Sequence, residues 1–240
     1  MNFIDGQILT FDKPLGWTSF QLVGKVRWLL CRAIGRKKLK VGHAGTLDPL
    51  ATGMMVICTG KATKRIEELQ LGRKEYTATL QLGATTPSYD LEHEVDATFP
   101  TDHITEEAVR EVLTRFTGEI DQVPPVFSAC KVDGKRAYDL ARKGKDVELK
   151  AKRITIDELE LLRFDPETMQ LDLRVRCSKG TYIRSLARDI GEALHSGAHL
   201  TALRRTQVGD YRVEDAFPSL EAFEEWLQTL PLTPPCEGGE

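Results

Sequence analysis

Acidic residues are absent from Lys13 to Leu47, and eight basic ones fall there: Lys13, Lys25, Arg27, Arg32, Arg36, Lys37, Lys38 and Lys40. The end of the chain has the opposite deficiency: after Val213 there are seven acids and no Lys or Arg. Paired cysteines are also missing, since Cys31, Cys58, Cys130, Cys177 and Cys236 are scattered without a CxxC. That excludes a disulfide framework and fits a reducing compartment. Five scattered histidines with no HxH argue against a zinc site. Apolar runs stop at about five residues, against the roughly 18 to 20 of a membrane helix. The opening MNFIDGQILTF has neither the basic nor the apolar region of a signal peptide. A soluble, cytoplasmic protein without metal is expected.

What is present suits one large domain, or one domain with a small appendage. The chain has 240 residues, 41% hydrophobic and 29% charged, enough to bury a substantial core. Its net charge of −3 argues weakly against a polyanion partner, but removing the seven terminal acids leaves 29 acids against 33 bases. Local fields decide where a polyanion docks, so the basic interval reads either as a nucleic-acid approach or as a solvated face.

Gln7 to Phe11 predicts a short strand, ended by Asp12-Lys13-Pro14 and Gly16. Thr18 or Ser19 caps a helix whose apolar stripe is Phe20, Val23, Val26, Leu30 and Ala33, stopped by Gly35. Met54 to Cys58 predicts a buried strand, Ala62 to Leu71 a helix, and Tyr76 to Leu82 a half-buried strand. Residues 85–96 read as a polar loop with a short strand, and Thr105 caps a helix from Glu106 to Phe116. Val126 to Val132 with Asp133-Gly134 reads as strand and turn, and Arg136 to Lys143 as a short basic helix. Lys152 to Phe164 and Met169 to Cys177 form a hairpin around Asp165-Pro166. A helix from Tyr182 to His195, a strand from Leu200 to Val208, and a helix from Ser219 to about Leu230 complete the pattern, before a frayed tail. Strands and helices mix without strict alternation, which predicts an α+β fold with a mixed, mainly antiparallel sheet flanked by helices.

The stretch from Val41 to Lys64, VGHAGTLDPLATGMMVICTGKATK, sets one acid, Asp48, among Gly42, Gly45, Pro49, Gly53 and Gly60. An isolated carboxylate in a stiff loop after a basic interval is a place for chemistry. Its TGKATK end approaches a phosphate loop, but the GxxxxGK[ST] spacing fails, and there is no GxGxxG or GxSxG. His43 and Asp48 lack a third metal ligand nearby. What remains is a lone carboxylate for covalent or acid–base work without a cofactor, needing a cation to stay ionised; Arg184 and Lys64 are candidates. Tyr76 and Tyr182 offer aromatic faces for a base, though taken singly each reads first as core.

GHAGTLDPLATG resembles motif II of the TruB family of tRNA pseudouridine synthases. The similarity continues through FDKPLGWTS, GKATK, KEYTATLQLG, PPVFSACKVDGKRAYDLARKG, CSKGTYIRSLARDIG and HLTALRRTQVG, in order over roughly residues 4–210. The resemblance implies the pseudouridine synthase fold with an active-site cleft. It also implies isomerisation of uridine to pseudouridine at position 55, in the T-arm of tRNA, without cofactor. Carried over residue by residue, Asp48 is the nucleophile or base acting at the ribose, Tyr76 stacks on the flipped base and moves the C5 proton, and Arg184 pairs with Asp48. His43 fills the space left by the extruded nucleotide, Tyr182 and Leu203 line the base pocket, and Lys13, Lys64 and Lys131 make pocket or backbone contacts. The interval from Lys25 through Arg27, Arg32, Arg36, Lys37 and Lys38 to Lys40 would follow the RNA phosphates.

The family resemblance implies a catalytic domain over 1–212, with residues 85–125 as a peripheral insertion, and a short acidic helix and tail over 213–240. Many family members continue into a PUA RNA-binding domain, which the roughly 30 residues after Val208 are too few to form. A monomer without protein partner or membrane contact is expected. The competing readings are a non-catalytic tRNA-binding chaperone and a pseudouridine synthase acting on another RNA. Against the first, an acid inside a polyanion's footprint costs affinity and serves no binding purpose.

Overall fold

Thr18 starts the first helix by a full capping box: its side chain accepts from the Gln21 backbone while the Gln21 side chain accepts from the Thr18 N–H. The computed structural model describes residues 1–128, 131–132, 135–136 and 149–231, the four in 131–136 by backbone pairing only. Among these the chain runs β1 (Ile8–Lys13), α1 (Ser19–Ala33), β2 (Val41–His43), β3 (Ala51–Thr59), a 3₁₀ helix (Gly60–Arg65), α2 (Ile66–Leu71) and β4 (Lys74–Leu82). Then come β5 (Ala84–Thr85), β6 (Ala97–Thr98), α3 (Glu106–Arg115), β7 (Gly118–Gln122), β8 (Lys131–Val132), β9 (Lys135–Arg136), β10 (Lys152–Asp165) and β11 (Gln170–Cys177). The last elements are α4 (Ile183–Ala193), β12 (Ala198–Val208), β13 (Tyr211–Arg212), a 3₁₀ turn (Val213–Asp215) and α5 (Leu220–Thr229). The expected α+β class with a mainly antiparallel sheet is what the chain adopts.

Two compact units divide the chain, one of residues 1–74 and 204–240, the other of residues 75–203. In the first, β1 lies antiparallel to β3 with Lys13 opposite Gly53, and β2 lies on β3 with His43 opposite Ile57. The strand order there is β1-β3-β12, and β13 pairs back on β12. Its core gathers Ala44, Met54, Val56, Val208 and Val213. A second cluster joins Phe11 to Phe223 at 4.9 Å and Phe217 to Trp226 at 5.1 Å, so the acidic α5 is tied to β1 through aromatic rings. In the second unit the order is β12-β4-β11-β10-β7. The clean alternation in β11 buries Leu171, Leu173, Val175 and Cys177, as one face of a half-buried strand must.

Three expectations are corrected. Phe20 is not on the buried stripe of α1, which runs Ser19, Leu22, Val23, Val26, Leu29 and Leu30; one residue of rotation leaves Phe20 facing water. Residues 62–71 are not one helix. Gly60 adopts φ 49° against Ile4, whose carbonyl takes the Lys61 N–H, so the segment leaves β3 as a tight 3₁₀ turn and becomes α-helical only at Ile66. Of the strand expected over 126–132, residues 126–128 form a bend instead, while Lys131–Val132 pairs with Lys135–Arg136. The Asp133-Gly134 turn, the helix expected from Arg136 to Lys143 (beyond Arg136) and the tail after residue 231 lie outside the described residues.

Candidate active site

Asp48 sits in the turn that joins β2 to β3, and each backbone carbonyl from Gly45 to Pro49 accepts a hydrogen bond. Ser19, held at the start of α1 by the Thr18 cap, donates from its hydroxyl to the Leu47 carbonyl at 2.9 Å and accepts from the Leu47 N–H at 2.8 Å. The Gly16 N–H donates to Pro49 O at 2.9 Å and the Ala51 N–H to Asp48 O at 3.1 Å. The loop after β1 and the Asp48 loop are therefore stitched together on both sides of the carboxylate.

Two buried cations complete the clamp. The Lys13 ammonium, fully shielded from solvent, donates to Trp17 O at 2.6 Å, Pro14 O at 3.0 Å and Pro49 O at 3.4 Å. Arg205, also buried, donates from Nε to Met54 O at 2.8 Å and from its two terminal nitrogens to Gly45 O at 3.2 Å and Thr46 O at 3.3 Å. A charged donor bonded to a carbonyl is worth more than a neutral one, and here the carbonyls lie on and beside the loop of the candidate acid. Gly53 lets β12 approach: a Cβ there would lie 2.2 Å from Arg205 O, and its φ of 102° suits glycine alone.

Burial lowers the Lys13 pKa from 10.5 to about 8, against the attraction of Asp48, with the Arg205 charge adding to the fall. Lys13, offered by the sequence as a pocket or backbone contact, thus supports the loop from the inside. His43 ends β2 and is half-buried; burial holds its imidazole below the ordinary value. Among the described residues its buried Nδ1 has no partner at bonding geometry, the Gly45 backbone being close enough only to offset part of that fall. Lys64 is exposed on the 3₁₀ helix.

The second unit carries Tyr76, Tyr182, Arg184 and Leu203. Tyr76 is on the buried side of β4, as its alternation predicts. Tyr182 caps α4, and Gln122 on β7 holds it by accepting from its N–H at 2.8 Å and donating to its carbonyl at 3.2 Å. Arg184, buried in the first turn of α4, donates to Phe127 O at 2.8 Å and Ser88 O at 3.3 Å, with Nε 3.7 Å from the Asp90 carboxylate. Leu203 is half-buried on β12. The Lys131 side chain lies outside the described residues.

The basic interval divides into two parts. Lys25 and Arg32 flank the exposed Trp28 ring at 4.5 and 5.5 Å, and Arg32 reaches Glu224 of α5 at 3.5 Å. Arg27 is half-buried, whereas Arg36, Lys37, Lys38 and Lys40 are exposed after the helix ends. Among the described residues no group of three or more His, Cys, Asp or Glu could hold a metal ion, and no helix is long and apolar enough to cross a membrane.

Two residues of the site are not singled out by the sequence pattern. Arg205 carries a signal, since two successive arginines on an amphipathic strand must send one inward. Asp90 carries none, because an irregular polar loop has no periodicity from which to read burial.

Comparison with known proteins fits this arrangement. Residues 32–183 match the profile of the TruB family pseudouridylate synthase N-terminal domain, and residues 184–230 that of the tRNA pseudouridylate synthase B C-terminal domain. The chain is 71% identical over 228 residues to a tRNA pseudouridine synthase B of Phocaeicola vulgatus, covering 95% of each. It is 50% identical to one of Thermobifida fusca, covering 95% of this chain and 77% of that one. Among solved structures, a chain of a Cbf5-Nop10-Gar1 complex matches with a TM-score of 0.69 and 28% identity, over 93% of this chain and 55% of that one. A family profile across most of the chain, joined to relatives of this identity, leaves one assignment: the chain belongs to the TruB family of pseudouridylate synthases.

Proposed function

We propose that this protein isomerises uridine to pseudouridine in tRNA, at position 55 of the T-loop, with Asp48 acting at the ribose of a flipped-out nucleotide. The observation that carries the Asp48 role is the clamp: six carbonyls around one carboxylate loop accept from two buried cations, Lys13 and Arg205. Fixing an acid so firmly serves a reaction in which the reacting atom must arrive at a set place.

The reaction breaks the N1–C1′ bond, turns the uracil and forms a C5–C1′ bond, while a proton leaves C5 and one is taken up at N1. No atom is gained or lost. A base inside a stack cannot turn, so the nucleotide is extruded first. A carboxylate facing the ribose then stabilises or traps the positive charge that develops as the glycosidic bond breaks. Tyr76 is the aromatic surface for the detached uracil and the group that moves the C5 proton, and Tyr182 and Leu203 are further walls of that pocket. His43 fills the space the nucleotide vacates, and Arg184 is the cation paired with Asp48. Arg36, Lys37, Lys38 and Lys40 are the exposed charges proposed to follow T-arm phosphates, and the protein acts as a cytoplasmic monomer.

Asp48→Asn tests the reading. Tritium release from 5-tritiated uridine in tRNA is expected to fall to background, while tRNA binding stays within a few fold of the parent. Full release by the variant would remove Asp48 from the chemistry, and pseudouridine mapped elsewhere than position 55 would change the substrate site.

A further inference from the structure

Three large apolar side chains remain exposed on the segments that frame Asp48: one on the loop after β1, one in the first turn of α1 and one in the Asp48 loop. Leu15 is 63% exposed, Phe20 75% and Leu50 37%. Each adjoins a residue that stitches those loops together: Gly16 bonds Pro49, and Ser19 bonds Leu47. Lys13 ties the same two loops through Trp17 O and Pro49 O. The three are therefore carried on one rigid frame around the carboxylate. Single exposed hydrophobics need no explanation, but three on the frame of a functional acid do.

The surroundings identify the occupant. The segment that bears Leu15 and Phe20 is free of acids from Lys13 to Leu47, so a phosphate backbone meets no repulsion from it apart from Asp48 itself. The group such a surface suits is an unstacked nucleobase: apolar on its faces and attached to an anionic strand. Proteins read splayed RNA bases by stacking them on aromatic and apolar side chains. We infer that Leu15, Phe20 and Leu50 form an apolar platform beside Asp48 that takes unstacked bases of the RNA strand flanking the target uridine, with Phe20 as the stacking ring. The inference rests on the proposed function, because it takes Asp48 as the point at which the strand is opened.

The three side chains are exposed, so their replacement leaves the core intact. Phe20→Ala is expected to raise the KM for tRNA roughly fivefold to a hundredfold, the range set by loss of one base–aromatic stack, while kcat falls less than KM rises. Phe20→Trp restores KM, and Leu15→Ser with Leu50→Ser adds a smaller increase. Unchanged KM in Phe20→Ala overturns the inference, as does a loss of self-association in sedimentation velocity with KM preserved, which would make the patch a contact between two copies of this chain. Asp48→Asn is measured alongside. If it turns over, the reading of the site fails. If it is inactive while Phe20→Ala keeps the parental KM, only the platform fails.

Discussion

Each unit fixes its candidate site with a buried cation that donates to loop carbonyls, but the charge is balanced differently. In the second unit Arg184 bonds Ser88 O and Phe127 O and also has the Asp90 carboxylate 3.7 Å away. In the first, Lys13 and Arg205 bond carbonyls, and the acid whose charge Lys13 feels is Asp48 itself. Carbonyl dipoles satisfy a cation's donors without cancelling its charge. Positive field is thus kept at the Asp48 loop, and the first unit bears the cost of burying it, whereas the arginine of the second has a carboxylate beside it. Burying an unmatched charge is expensive and persists only where other contacts over-determine it.

The largest expected effect comes from breaking the clamp. Arg205→Met leaves the carbonyls of Gly45, Thr46 and Met54 without their cationic donor. Each buried carbonyl left unsatisfied costs about 1–3 kcal/mol, so the variant should lose several kcal/mol, a fall in Tm of roughly 10 °C for a chain of this size. Turnover should fall by more than tenfold at a temperature where the variant is folded, since the loop no longer holds Asp48 in place. Asp90→Asn is the matching change in the second unit: Arg184 keeps its carbonyls and loses a charge partner. It should cost less stability than Arg205→Met in urea unfolding. The reverse order would mean that Arg205 is no more than packing.

A pH profile separates the units further. Lys13 titrates near 8 in the folded protein and at 10.5 when free. Below about 8 both states are protonated, and the folded one carries the cost of a buried charge. Between about 8 and 10.5 the unfolded state binds more protons, so this group's contribution to stability rises with pH. Activity should move the other way. As Lys13 loses its proton, the loop loses a donor and Asp48 its adjacent cation, so the rate should decline with an apparent pKa near 8. Lys13→Arg, which stays charged, should flatten that limb even if its maximal rate is lower. An alkaline limb that survives Lys13→Arg unchanged assigns the titration to another group.

The same division explains how much is legible in the sequence. Asp48, the capped α1 and the alternating strands β4 and β11 can be read there because local pattern and long-range packing agree. The start of α2 cannot, because the Gly60 turn is dictated by the Phe3 and Ile4 carbonyls, more than fifty residues away in sequence. Spacing alone puts Phe20 inside, since positions 20 and 23 share a helix face as plausibly as 19 and 22; what decides is the bond from Ser19 to Leu47. Arg184 stands out as a cation, but its carboxylate neighbour Asp90 does not. Burial of Lys13 is not legible, because lysine is rarely buried, and only the three carbonyls around it show why this one is.

The smallest effect tests whether the exposed cations of α1 belong to the site at all. Arg32 is 67% exposed and its bond to Glu224 at 3.5 Å is solvent-screened, so Arg32→Gln should change stability by less than about 1 kcal/mol. The outcome of interest is RNA binding. With its charge opposed by Glu224 and its side chain turned to Trp28, Arg32 should contribute little to the salt dependence of tRNA affinity. Charge removal at Arg36, Lys37 and Lys38 together should instead lower the slope of log K against log salt by about 0.7–0.9 for each phosphate no longer neutralised. Equal slopes for the two variants would place α1 and the segment after it on one RNA-facing surface. A change confined to the triple variant would put the approach after the helix, and leave Arg32 to its pairing with Glu224.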